Sequence, residues 1–225
     1  MTASNKVNPL GVTMGVRDFP MAYYWIRQID FIDRLEIFGY SHEVAHDRAK
    51  KYLLAHPEYT HLLILCEDNI IAPDFVKLLI KDVEETAHPV ITGYSNIRFD
   101  HDGLNWTQKD LSQTLVIGER PYNFPSLLWY LSKEARDFLG YPLFKVFFVG
   151  LTTAMIARSV VEKVTFKAYK QKSLAIDLQF CIECHKLGIP IYVDARLFHI
   201  HFGNTVKLID WKNMQQSVTF TPKKA

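Results

Sequence analysis

The stretch HLLILCEDNIIAPDF, residues 61–75, decides the reading of the fold. Its first six residues, 61–66, are a continuous apolar run, the pattern of a strand covered on both faces. Pro73 and Asp74 then open a helix expected over 73–86. Proline is pre-organised for the first helical position, and an acid in the first turn complements the helix dipole. Between strand and helix lie Cys66, Glu67, Asp68 and Asn69. In an open parallel sheet the carboxyl ends of strands are where ligands bind, so this strand end is the first place to look for chemistry.

Working outward, the same alternation recurs. Residues 11–14 (GVTM) read as a short buried strand, 15–20 as a turn, 21–32 as an aromatic helix and 35–38 (LEIF) as a second strand ending at Gly39. Ser41 fits the N-cap of a helix that runs through His56 and is stopped by Pro57. Residues 89–93 (PVITG) form another strand. The order β-α-β-α-β-α-β specifies an α/β protein with an open, mostly parallel sheet flanked by helices. The next fifty residues break the rhythm, with short strands at 96–99 and 114–117 around a polar loop, 100–113. Alternation returns with a strand at 145–149, helices near 158–164 and over 176–187, and a strand at 189–193. The residues after Gly203 are polar and basic and are expected to be loosely held. No internal repeat or low-complexity tract divides the chain, so a single domain is expected over 1–225, with its core at about 10–203 and a tail at 204–225.

Composition narrows the function classes. The chain has 225 residues, of which 48% are hydrophobic, enough for a core that needs no disulfide or metal staple. A net charge of +2 argues against a broad nucleic-acid surface. Aromatic residues, at 13%, suit a cleft for bases or sugars. Three cysteines are too few for a secreted disulfide framework. The first residues show no basic and apolar leader, and no apolar run approaches the roughly 20 residues of a membrane helix. A cytoplasmic protein is expected.

Two constellations carry possible chemistry. Glu67 and Asp68 repel each other unless a cation or a pair of donors offsets the charge. Oxygen ligands of this kind suit Mg²⁺ or Mn²⁺ bound together with substrate phosphates. A solvated acidic turn before a helix is the plainer explanation of the same residues. The second constellation is Asp177 at a helix start, with His199 and His201 after the strand at 189–193. Asp177 could equally serve as a helix cap, and a histidine is more often structural than a ligand. Cys181-Ile-Glu-Cys184-His185 spells a haem-attachment pattern, but it lies on an apolar helical face, where cysteine packs as a small hydrophobe. A zinc site using Cys181, Cys184, His199 and His201 lacks the usual H-x₃₋₅-H spacing. Dinucleotide-binding, P-loop and nucleophile-elbow motifs are missing, which disfavours dehydrogenases, P-loop kinases and α/β-hydrolases.

Taken in order, these motifs resemble GT-A-fold glycosyltransferases, nucleotide-sugar transferases of the family 2 type. LLILCEDNIIAPDF resembles their D-x-D segment, and the glycine-led stretch 149–164 is similar to one that continues into a small apolar strand and a helix. Asp177 with its downstream Leu187-Gly188 looks like the acidic helix of the family. Tyr192-Val-Asp194 followed by His199 and His201 resembles the strand and histidine that close a metal site, and 44–49 sits where relatives carry an A-R-N-x-A helix. Residues 10–203 are covered. The D-x-D slot ends in neutral Asn69, the acidic pair is reduced to Asp177, and the A-R-N segment keeps neither its Arg nor its Asn.

The resemblance implies a GT-A fold and transfer of a sugar from a nucleotide-diphosphate donor to an acceptor hydroxyl on a glycan, protein or lipid, with neither a nucleic-acid partner nor a membrane span. It implies Mn²⁺ or Mg²⁺ held by Glu67, Asp68, Asn69 and His201, with Asp68 the main ligand. Thr13, Arg17, Asp47, Glu67 and Asp68 would contact the donor, and Asp177 would act as general base. Loop 100–113 and aromatic residues 122–130 would wall the acceptor. The alternative is a non-catalytic module of the same fold that binds nucleotide, sugar or a partner. A nucleotidyltransferase would need a more glycine-rich and basic phosphate loop than residues 11–17 offer.

Overall fold

The computed structural model of the chain describes residues 6–15, 20–95, 116–117, 143–167, 176–201 and 215–224. Within them lie strands β1 (Pro9–Gly15), β2 (Asp33–Phe38), β3 (His61–Leu65), β4 (Asn69–Ile70), β5 (Val90–Ser95), β6 (Val116–Ile117), β7 (Leu143–Phe148), β8 (Thr153–Ala157), β9 (Ile191–His201) and β10 (Ser217–Thr221). The helices are α1 (Pro20–Arg27), α2 (His42–Ala55), α3 (Pro73–Thr86), α4 (Arg158–Val161) and α5 (Ile176–Lys186). The strands form one sheet in the order β10-β2-β1-β3-β8-β5-β9-β7-β6, with β4 added against β9.

Both faces of β3 are covered, as its apolar run requires. Leu62 and Ile64 point into a core with Ala45, Ala49 and Leu53 of α2 and Phe180 and Cys181 of α5. Leu63 and Leu65 point the other way, onto Ile26 of α1 and Phe75, Val76, Leu79 and Val83 of α3. The result is a mixed α/β fold with a central sheet between two helical layers. Helix α3 occupies the expected 73–86, with Pro73 at its start and Asp74 in its first turn.

Parallel pairing holds between β1 and β2, β1 and β3, and β5 and β9. It is interrupted by β8, which lies between β3 and β5 and runs antiparallel to both. Strands β10 and β7 also run against their inner neighbours. Thr153-Ala-Met-Ile-Ala157 is too short and uniformly apolar for its sequence to reveal direction, which long-range pairing decides.

Three boundaries differ from expectation, each for a visible reason. Helix α1 stops at Arg27, and the buried Arg34 guanidinium donates to the Ile26 carbonyl at 2.8 Å near that end. The strand expected at 189–193 runs on to His201, passing through a bulge in which residues 194–197 stand opposite Gly93 alone. A Cβ on Gly93 would run into the Phe75 ring and the Leu197 carbonyl, so only glycine lets β9 bulge there. The tail is not loose throughout: 217–221 forms edge strand β10 on β2, and Lys224 is tied to Asp30 by a 2.8 Å ion pair. Ser41 occupies the N-cap position of α2, but its side chain makes no capping hydrogen bond.

Arg158 joins these layers. Its guanidinium donates to the carbonyls of Leu53, Leu54, His56 and Tyr59 at 2.8–3.1 Å, satisfying the carboxyl end of α2. Such orphan carbonyls otherwise need water or a cap. The expected strand at 96–99, the polar loop 100–113 and the aromatic stretch 122–130 lie outside the described residues. Among the described residues, no helix is long and apolar enough to cross a membrane.

Candidate functional site

The acidic turn leaves β3 at its carboxyl end. The backbone curls at once: the Asn69 N–H donates to the Cys66 carbonyl at 3.2 Å, and Asn69 begins β4 opposite His201 of β9. This tight return gathers the side chains of Cys66, Glu67 and Asp68, whose ligand atoms lie within 4.8 Å of one another. Glu67 is 2% exposed and Asp68 7%, so the solvated acidic turn is not what folds. Two carboxylates this buried and this close are costly unless something positive or proton-donating faces them. Asn69 supplies one donor, its Nδ2 to Asp68 Oδ1 at 3.1 Å. Its own Oδ1 is buried with no hydrogen-bond partner among the described residues.

The turn at 149–152 forms the neighbouring wall. The Cys66 N–H donates to the Thr152 carbonyl at 3.0 Å, and the Cys66 thiol reaches the Leu151 carbonyl at 3.5 Å. Gly150 faces the other way: a Cβ built on it would lie 3.8 Å from Asp177 Oδ2. Asp177, in the first turn of α5, is therefore brought to the same turn that holds the end of β3. The two acidic segments, far apart in sequence, thus both adjoin the turn at 150–152. Thr152 also pairs its hydroxyl with His199 Nε2 at 2.9 Å, and the buried His199 ring stands edge-on to Phe75. His199 is thus fixed beside the site by the bulged continuation of β9. Thr152 is the residue that sequence reasoning missed; nothing in its local pattern sets it apart from Thr153.

The remaining expected residues fall in different places. Thr13 is fully buried in β1, its Oγ1 without a partner among the described residues. Asp47 sits on the solvent-facing side of α2 in a 2.7 Å ion pair with Lys51, away from the acidic turn. The backbone of His201 is registered opposite Asn69. Arg17 lies outside the described residues. Cys181 and Cys184 are core residues; Cys181 Sγ accepts from the Val149 N–H at 3.4 Å. Burial pushes the Cys181 thiol well above its ordinary value and that of Cys184 up to about 12. Glu183, the other acid of α5, is engaged elsewhere. Burial raises its carboxyl, but hydrogen bonds from Gln179 and from the Thr165 hydroxyl and N–H outweigh that and hold it below the usual value.

The donor set at the acidic turn fits a divalent cation. It offers two buried carboxylates and a thiol gathered by one turn of backbone, beside an amide whose oxygen has no hydrogen-bond partner among the described residues. The scaffold is a mixed α/β fold with its acidic cluster at the carboxyl end of a central strand, where such folds place ligands. No family model matches the chain, and no curated protein matches it. Among solved structures, the chain is similar to one described as "Crystal Structure of A197 from STIV", at 17% identity and a TM-score of 0.53. The likeness covers 91% of this chain and 98% of that one, and at this identity it concerns the fold alone.

Proposed function

We propose that the protein is a GT-A-type glycosyltransferase that moves a sugar from a nucleotide-diphosphate donor to an acceptor hydroxyl, dependent on a divalent cation. The observation that supports this best is that the segment bearing Glu67 and Asp68 and the helix start bearing Asp177 both adjoin the turn at 150–152. On this reading the acid pair neutralises the diphosphate and the third carboxylate faces the acceptor. Mn²⁺ or Mg²⁺ bound there would offset the negative charge that develops on the leaving diphosphate. Asp68 and Glu67 hold the charged end of the donor, and Asn69 orients Asp68 through its amide. Asp177 takes the proton from the acceptor hydroxyl as that oxygen attacks the anomeric carbon.

One contact favours a second reading, a module of the same fold that binds nucleotide or sugar without turnover: the Asn69 amide already occupies Asp68 Oδ1. A thermal-shift panel of nucleoside diphosphates and sugar nucleotides, with Mn²⁺ and with chelator, tests the proposal. Stabilisation by a nucleoside diphosphate that requires Mn²⁺, followed by sugar transfer or donor hydrolysis, supports the transferase. Stabilisation by free sugar without nucleotide favours the module.

A further inference from the structure

The donor set at the end of β3 contains a soft ligand that a purely oxygen-based site would lack. Resting on the metal reading above, we propose that Cys66 binds the cation as a thiolate beside Glu67 and Asp68. The site would therefore select borderline cations such as Zn²⁺ or Co²⁺ over Mg²⁺.

The argument starts from the backbone. The Cys66 N–H is pinned to the Thr152 carbonyl, and its own carbonyl is taken by the Asn69 N–H, so the turn has little freedom to swing the thiol away. In a tetrahedral four-ligand site, sulfur at about 2.3 Å and oxygen at about 2.1 Å from one ion lie about 3.6 Å apart. The Cys66, Glu67 and Asp68 donor atoms lie within 4.8 Å of one another, so closing on an ion needs side-chain movements of about 1 Å at the widest pair. Burial points the same way. Mg²⁺ demands octahedral oxygen coordination and keeps several waters, whereas Glu67 and Asp68 are almost sealed from solvent. A cation that accepts four ligands, sulfur among them, suits a compact site better. The buried Asn69 amide touches Asp68 through its Nδ2, and its Oδ1, with no hydrogen-bond partner among the described residues, is the fourth donor this reading assigns.

Binding is balanced simply. The Cys66 S–H bond breaks, a sulfur–metal bond forms, and one proton passes to the buffer, while the carboxylates bind as they are. No oxidant or reductant is involved.

Co²⁺ is the direct probe, because a thiolate ligand gives bound Co²⁺ a near-ultraviolet charge-transfer absorption that oxygen ligands do not. The full chain titrated with Co²⁺ is expected to show this band, to lose it to Zn²⁺ and to keep it in excess Mg²⁺. Losing a residue that merely orients a metal ligand costs about 10–100-fold in affinity. Cys66→Ser is therefore expected to abolish the band and weaken Zn²⁺ by at least about tenfold, with Mg²⁺ affinity nearly unchanged. A second measurement needs no variant: saturating Zn²⁺, but not Mg²⁺, should slow alkylation of Cys66, followed by peptide mass. Co²⁺ bound without the band, or alkylation unaffected by Zn²⁺, overturns the thiolate ligand while leaving an oxygen-based site standing. Failure of Co²⁺, Mn²⁺ and Mg²⁺ alike to bind overturns the metal reading as well.

Discussion

Replacing Asp82 with Asn should stabilise the protein increasingly as pH rises. Asp82 on α3 and Asp194 in the β9 bulge are both buried and share one cation, Arg196, which donates to Asp82 Oδ1 at 2.6 Å and to Asp194 at 2.7–3.0 Å. Burial, then the hydrogen-bonded Asp194, pushes the Asp82 carboxyl up to about 7, against the opposing pull of Arg196. A folded-state value raised above the unfolded one stabilises at low pH, and the benefit is lost as pH rises through the folded value. Between pH 4 and 7 the loss is at most about 1.4 kcal/mol per unit. Over pH 5 to 8 the ceiling is thus about 2.7 kcal/mol, and the partly exposed Arg196 lowers the expectation to about 2 kcal/mol. Asp82→Asn keeps an acceptor for Arg196 and a donor toward Asp194 but cannot ionise. The variant should already be somewhat more stable at pH 5, because the unfolded carboxyl ionises near 4, and its advantage should grow by about 2 kcal/mol by pH 8. The assay is urea unfolding of both proteins at each half unit from pH 5 to 8. Only the difference between them is diagnostic, because His46 and His61 titrate in the opposite sense over the same range. A stability difference independent of pH would refute the reasoning.

Other tests address separate parts of the molecule. Asp177→Asn should lower sugar transfer by about 10²–10⁴-fold with donor affinity unchanged, whereas Asp68→Asn should weaken Mn²⁺ and nucleoside diphosphate together; full activity in Asp177→Asn would exclude it as the base. Burial depresses His46 to about 4, so its neutral form stabilises the fold above its ordinary value and that contribution is lost as pH falls. His46→Gln should accordingly reduce the acid loss between pH 6.5 and 4.5 by about 1–3 kcal/mol in the same unfolding series. Arg158→Met removes the charged donors from four carbonyls at and just beyond the end of α2 and should cost about 2–4 kcal/mol, with faster amide exchange through the last turn of that helix. Unchanged stability would show that water replaces the guanidinium.

Much of the fold is legible locally. The run 61–65 needed cover on both faces and received it, and Pro73 with Asp74 placed the start of α3 to the residue. Residues 217–221, SVTFT, carried a β-branched and aromatic strand signal, yet the surrounding lysines gave the tail a solvated look. Only the open edge of β2 shows what that strand pairs with. At the candidate site, Glu67, Asp68 and Asp177 stand out from sequence because their neighbours are apolar or begin a helix. Cys66 and Thr152 do not, because their part depends on contacts with residues 85 and 47 positions away.

By itself, the sequence determined an alternating α/β chain with an acidic turn at the end of a buried strand, because periodicity and capping are properties of a few neighbouring residues. The tertiary structure alone decided the rest. It inserted β8 against the direction of β3 and β5, bulged β9 where Gly93 leaves room, and carried Asp177 to the turn that anchors Cys66. Those outcomes depend on which strand edges and cavities remain unfilled once the local elements have formed. That is a property of the whole chain, and no window of sequence contains it.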